Sequence, residues 1–78
     1  MNTQQKFGKR IKIERIMRDW TIEKLAEEAG LGTSTIGQVE NGSSSPTLDT
    51  IEKLAKALDF KIHELLIFDD LDKFARKK

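Results

Sequence analysis

A chain of 78 residues with 37% hydrophobic content makes one small domain, with no room for a catalytic cleft shared with a second domain. It has no cysteine and a single histidine, His63, so neither a disulfide framework nor a zinc or other metal centre is expected to hold the fold, and stability must come from packing. The formal net charge is only +1, and with no signal peptide, no lipidation motif and no apolar run near about 18 residues, the expectation is a soluble cytoplasmic protein with no membrane partner.

The charge is unevenly spread. Residues 1–18 hold Lys6, Lys9, Arg10, Lys12, Arg15 and Arg18 against Glu14 alone, a local balance of +5. Lys9 and Arg10 are the candidates for anion contact, and Lys12 and Arg18 read as a solvated face. Phe7, Ile11 and Arg15 are spaced i, i+4, i+8 and share one stripe of a first helix, which carries the guanidinium toward the core. A buried guanidinium demands a partner. Glu40 is the acidic residue in the second half of the following motif that can reach it, and a pair between them would lock the first helix to the third. Trp20, with Ile13, Ile16 and Met17 behind it at helical spacing, reads as core and hydrophobic staple.

From Thr21 to Gly42 the chain reads TIEKLAEEAGLGTSTIGQVENG, two short helices hinged at glycine. Ile22, Leu25, Ala26 and Ala29 recur at i, i+3, i+4 and i+7, Thr21 is a natural N-cap, and Glu23 complements the helix dipole. Gly30 ends this helix; a second starts with Gly32 or Thr33 as its cap, turns Ile36 and Val39 inward, and stops at Asn41 and Gly42. Joined by a turn of about three residues, the two helices cross steeply, as in a helix-turn-helix. What faces outward from the second is Thr33, Ser34, Thr35, Gln38 and Asn41, with Gly37 giving close access. Hydroxyls and amides of this kind suit DNA base edges: Gln bonds adenine in a bidentate way, Ser and Thr accept several edges, and the Thr methyl touches a thymine methyl. A merely solvated polar face is the alternative.

After Ser43-Ser44-Ser45-Pro46, Thr47 caps a fourth helix with Leu48, Ile51, Leu54, Ala55 and Leu58 on one apolar face. Phe60, Ile62, Leu65 and Leu66 give a fifth. Apolar residues continue: Ile67, Phe68, Leu71 and Phe74 exceed what a five-helix domain of this size buries, and such a cluster marks an interface. Asp69, Asp70 and Asp72 open the tail and Lys73, Arg76, Lys77 and Lys78 close it, the order a helix dipole prefers. A short sixth helix contributing Ile67, Phe68, Leu71 and Phe74 to a homodimer is expected, with a frayed terminus as the alternative. The domain organisation is therefore residues 1–68 as a DNA-binding unit with its motif at 21–42, and 69–78 as tail or dimerisation element.

Taken together, Phe7-Gly8-Lys9-Arg10-Ile11, Arg15, Thr21, Leu25-Ala26, Gly30-Leu31, Ile36, Glu40-Asn41-Gly42, Pro46-Thr47-Leu48-Asp49-Thr50 and Leu54-Ala55-Lys56-Ala57-Leu58 carry a family resemblance. In their order and spacing the chain resembles the Cro/C1-type (XRE) helix-turn-helix transcriptional regulators, which include phage repressors, restriction-modification controller proteins and many small bacterial repressors. The resemblance runs from about Phe7 to Leu66 and implies an all-α, compact five-helix lambda-repressor-like domain. It implies that the second helix crosses the DNA backbone while the third enters the major groove. Base contacts would then come from Thr33, Ser34, Thr35 and Gln38, and phosphate contacts from the free backbone N–H groups at Ile22 and from Asn41, Ser43 and Ser44; the charge pattern adds Lys9 and Arg10, and an exposed Arg15 touching phosphate is the alternative to its buried pair. It also pairs the positions of Arg15 and Glu40. The implied function is a repressor or operon controller acting as a homodimer on a pseudo-palindromic site in double-stranded DNA, without cofactor, metal or small-molecule ligand.

Three positions depart from the family pattern. Position 22 is commonly Gln, whereas Ile22 offers only main-chain donors. Between Leu31 and Thr50 the only charged residues are Glu40 and Asp49, so guanine readout by a bidentate Arg is not available from this helix. Asp59 stands where Gly often ends the fourth helix. The competing function is an antitoxin or protein-interaction module that binds a partner protein. An enzyme is not expected: there is no Ser/His/Asp set and no metal cluster, and Gly30 with Gly32 is too short for a phosphate loop.

Overall fold

The computed structural model describes residues 1–66. Among them every regular element is helical: α1 (Thr3–Met17), α2 (Ile22–Ala29), α3 (Thr33–Asn41), α4 (Leu48–Ala57) and the single turn α5 (Ile62–Leu65). The expected sixth helix and the interface residues Ile67, Phe68, Leu71 and Phe74 lie outside the described residues.

Local chemistry sets each boundary. Asn2 and Gln5 form a reciprocal capping box at the start of α1, with bonds of 2.8 and 3.0 Å. Thr21 and Thr47 each accept the N–H three residues on, at 3.0 and 3.1 Å, as caps of α2 and α4. Gly32 begins α3 with no side-chain cap. Four helices end alike, in a left-handed residue followed by an N–H that reaches back five residues: Leu31 to Ala26, Ser43 to Gln38, Trp20 to Arg15 and Phe60 to Ala55. The left-handed residue is Gly30 and Gly42 in the first two, and Asp19 (φ 58°) and Asp59 (φ 62°) in the others. Asp tolerates this region better than most residues, so Asp59 keeps the cap that Gly would make more easily, and Asp19 does the same at a helix end that no glycine marks.

The core gathers one stripe from each helix: Phe7 and Ile11, Leu25, Ala26 and Ala29, Ile36 and Val39, Leu54, Ala55 and Leu58, and Leu65. α1 packs most extensively on α3, α2 on α3 and α4, and α4 on α5. The α1–α3 approach is close because residue 8 has no side chain; a Cβ there would overlap the carbonyl oxygen of Val39 and lie 2.9 Å from that of Glu40.

Several expected core residues are not in the core. Ile16 and Met17 are 52% and 71% exposed, Ile13 is half-buried, and only Trp20 of that group packs against the core. The cause is the α1 stripe itself: Phe7 and Ile11 enter the core, whereas Ile13, Ile16 and Met17 project from other sides of the same helix, and Ile13 and Ile16 line an open groove beside the end of α3. Leu48, expected on the buried face of α4, sits in its first turn at 79% exposure, while Ile51 is half-buried. In the short α5 only Leu65 is buried, with Ile62 and Leu66 about 40% exposed and Phe60 half-buried.

Candidate nucleic-acid interface

The burial of α3 on one side is what defines its other side. Ile36 is 0% and Val39 2% exposed, and this fixes the rotation of the helix. Thr33, Ser34 and Gln38 are then exposed, Thr35 and Gly37 half-covered, and Asn41 exposed at the far end. A Cβ built on Gly37 would meet nothing within 4 Å, so the centre of this face is open among the described residues. The four residues expected to touch bases share this one surface.

Three contacts keep α3 in place. Gly42 and Ser43 close its C-terminus, and Gln4 of α1 donates from Nε2 to the Gly42 carbonyl at 3.2 Å. Arg15 grips Glu40 with two parallel bonds, Nε to Oε2 at 2.7 Å and Nη2 to Oε1 at 3.1 Å, and Nη1 donates to the Trp20 carbonyl at 2.8 Å. One guanidinium therefore ties α1 to α3 and to the residue that precedes the α2 cap. Its side chain is 13% exposed and that of Glu40 5%. The hydrogen bonds that Arg15 donates to Glu40 raise the Arg15 pKa above its ordinary value, and burial opposes them only in part. Arg15 thus stays charged across the whole working pH range. Three of its five N–H groups have partners among the described residues.

At the start of α2 the Thr21 side chain takes the N–H of Lys24. Ile22 and Glu23 sit in the first turn, where N–H groups have no acceptor within their own helix. Ile22 is half-buried against the core and offers no polar side chain, only that main-chain donor. Lys24 pairs with Glu28 at 3.0 Å, and the hydrogen bond raises its pKa; with Glu23, Glu27 and Glu28 exposed against Lys24 alone, the α2 surface is acidic rather than basic.

The other expected phosphate residues are placed unequally. Lys9 is exposed, as is Asn41, and Ser44 is half-covered in the loop after α3. Ser43 directs both its N–H and its hydroxyl at the Gln38 carbonyl, at 3.1 and 3.2 Å. Arg10 bonds Glu14 at 3.0 Å and lies 5.3 Å from the Phe60 ring centre, turned toward the α4–α5 connection.

Arg18 corrects the expectation of a solvated face. It bonds Glu14 at 2.8 Å and the Leu58 carbonyl at 2.9 Å and lies 5.7 Å from Phe60. Arg10, Glu14 and Arg18 thus form an i, i+4, i+8 ladder that clamps α1 over the end of α4. The spacing was visible in the sequence; that Phe60 would lie under both guanidiniums was not. Among the described residues no group of His, Cys, Asp or Glu is placed to hold a metal, and no helix is long and apolar enough to cross a membrane.

Comparison with known proteins adds three findings. Residues 11–65 match the HTH_3 family, described as helix-turn-helix. The cryptic phage CTXphi transcriptional repressor RstR of Vibrio cholerae is 40% identical over 60 residues, 77% of this chain and 54% of that protein. Control protein C.BamHI of Bacillus amyloliquefaciens is 34% identical over 73 residues, 92% of this chain and 90% of that one. This chain therefore spans about half the length of the phage repressor and nearly all of the control protein. Among solved structures, the restriction-modification controller protein C.AhdI from Aeromonas hydrophila is similar at a TM-score of 0.76 and 40% identity, covering 80% of this chain and 94% of that one.

Proposed function

Because the chain belongs to the HTH_3 helix-turn-helix family, we propose that it is a sequence-specific transcriptional regulator that inserts α3 into the major groove of double-stranded DNA. The observation that carries this reading is the outer face of α3: uncharged, hydrogen-bonding, uncovered among the described residues, and rigidly seated through Ile36, Val39 and the Arg15–Glu40 pair. Similarity to a phage repressor and to restriction-modification controller proteins supports a repressor or operon controller rather than an enzyme. Such a protein works where the chromosome is, in the cytoplasm.

Thr33, Ser34, Thr35 and Gln38 contact base edges. Lys9, Arg15, the main chain at Ile22, Asn41 and Ser44 hold phosphates, and they set the register without carrying sequence information. Arg10 and Ser43 join them only by giving up the intramolecular partners they have here. With so few cations aimed at the backbone, the salt dependence of binding is shallow, about two to four charges per subunit.

The functional unit is a homodimer, whose two recognition helices lie about 34 Å apart and select a pseudo-palindromic operator. Ile62 and Leu66, both exposed, lead in sequence directly into Ile67, Phe68, Leu71 and Phe74, and this apolar run supports an interface there. Genome-wide footprinting of the purified protein, with sedimentation equilibrium of the same sample, tests both halves. Protection of discrete pseudo-palindromic sites by a dimer is expected. Uniform, sequence-independent protection or none overturns DNA regulation, and a monomer that still occupies such sites overturns the dimer.

A further inference from the structure

One stripe of α1 takes no part in the core or in the face described above. Gln5, Lys9, Lys12, Ile13 and Ile16 follow one another at i, i+4, i+7, i+8 and i+11, a line of about three helical turns and roughly 16 Å. With Met1 on one side and the end of α3, at Glu40 and Asn41, on the other, they line an open groove of about 430 Å³. Its floor is apolar: Ile13 is half-buried and Ile16 is 52% exposed. Its rim is cationic, since Lys9 and Lys12 are both exposed and form no ion pair among the described residues. The one carboxylate in the wall, Glu40, is held by Arg15 and is 5% exposed, so it does not offset them. Gly8 is what brings the end of α3 near enough to form that wall.

A phosphate backbone has no use for an isoleucine floor, and a stripe of three turns matches the apolar edge of a second helix, read through anchors at i, i+4 and i+7. Charge then selects the partner: carboxylates flanking the anchors pair with Lys9 and Lys12, and flexible Met1 adapts to the anchor's shape. We propose that this groove docks an acidic amphipathic helix of a partner protein, and that docking displaces the DNA backbone from Lys9 and Asn41. The second half rests on the assignment of those two residues to phosphate under Proposed function; the first half does not.

The test titrates the full chain, labelled at isoleucine methyls, with a synthetic 15-residue helical peptide that bears leucines on one face and glutamates beside them. The same peptide with lysines for glutamates is the control. Expected are shifts at the Ile13 and Ile16 methyls, at least tenfold weaker binding of the lysine peptide, and at least tenfold loss with Ile16→Ser or Lys12→Ala, neither of which changes DNA affinity more than twofold. The acidic peptide should also weaken DNA binding by the wild type and not by these variants. Equal binding of both peptides, or shifts centred elsewhere, overturns the docking site. Groove shifts that grow with protein concentration before any peptide is added overturn it in favour of a second copy. Peptide binding that leaves DNA affinity unchanged overturns only the competition, and a protein that binds the peptide but no DNA overturns the proposed function instead.

Discussion

The two sides of α3 obey different rules. Toward α1 the helix is met by a glycine that permits close approach, by buried Ile36 and Val39, and by a two-bond ion pair with nearly all of its surface covered. Away from α1 it carries only short polar side chains, with nothing over Gly37. Stability and recognition are therefore separable in this domain: changes on the inner side act through folding, and changes on the outer side act through the ligand. Burial of each large aliphatic on the inner side contributes on the order of 1.5–3 kcal/mol, whereas exposed hydroxyls and amides contribute little until DNA supplies their partners.

The sharpest way to break the inner side is Gly8→Ala. The added carbon overlaps two backbone carbonyl oxygens, which cannot rotate away as a side chain would. Denaturant unfolding should show a loss of about 3 kcal/mol or more. A near-neutral result would mean that α1 and α3 are not so closely apposed.

Next comes Glu40→Ala, which leaves the Arg15 guanidinium mostly covered and without its carboxylate. Partial exposure of Arg15 lets water replace some of the lost bonding, so about 2–4 kcal/mol is expected by the same measurement. A loss under about 1 kcal/mol would make the pair no different from one on the open surface. On the outer side, Gln38→Ala should leave the unfolding midpoint unchanged and cost about 1–3 kcal/mol in specific DNA binding, read as the affinity ratio of operator to scrambled duplex. Equal weakening on both duplexes would move Gln38 from the reading set to the positioning set.

The smallest effect is expected where the molecule is already wet. Leu48→Ser, at a residue 79% exposed, should change stability by less than about 0.5 kcal/mol. A larger loss in concentrated protein but not in dilute protein would place Leu48 in an interface between subunits.

These contrasts also show what a sequence can and cannot express. The α2–turn–α3 unit was legible because three independent signals agree there: the period of Leu25, Ala26 and Ala29, the Thr21 cap, and glycines at both left-handed positions. Arg15 was legible as a residue needing a partner, because it follows Phe7 and Ile11 on one stripe. Periodicity names a helix face without saying whether anything lies opposite. That is why Ile16, Met17, Leu48, Ile62 and Leu66 read as core and proved exposed. Contacts across long separations were equally silent: Arg18 reaches the Leu58 carbonyl forty residues away, and Phe60 comes to rest beneath Arg10 and Arg18. Asp19 gave no signal as a left-handed cap because glycine is the usual mark of that conformation.

In a regulator of this kind the uncharged face of α3 is the surface that meets base pairs. Backbone amide shifts of isotope-labelled protein, followed as operator duplex recovered by footprinting is added, test this most directly. The largest changes should fall on Thr33, Ser34, Thr35 and Gln38, with smaller ones at Ile22 and Asn41. Changes concentrated on α4 and α5, with the α3 amides unmoved at saturation, would contradict it.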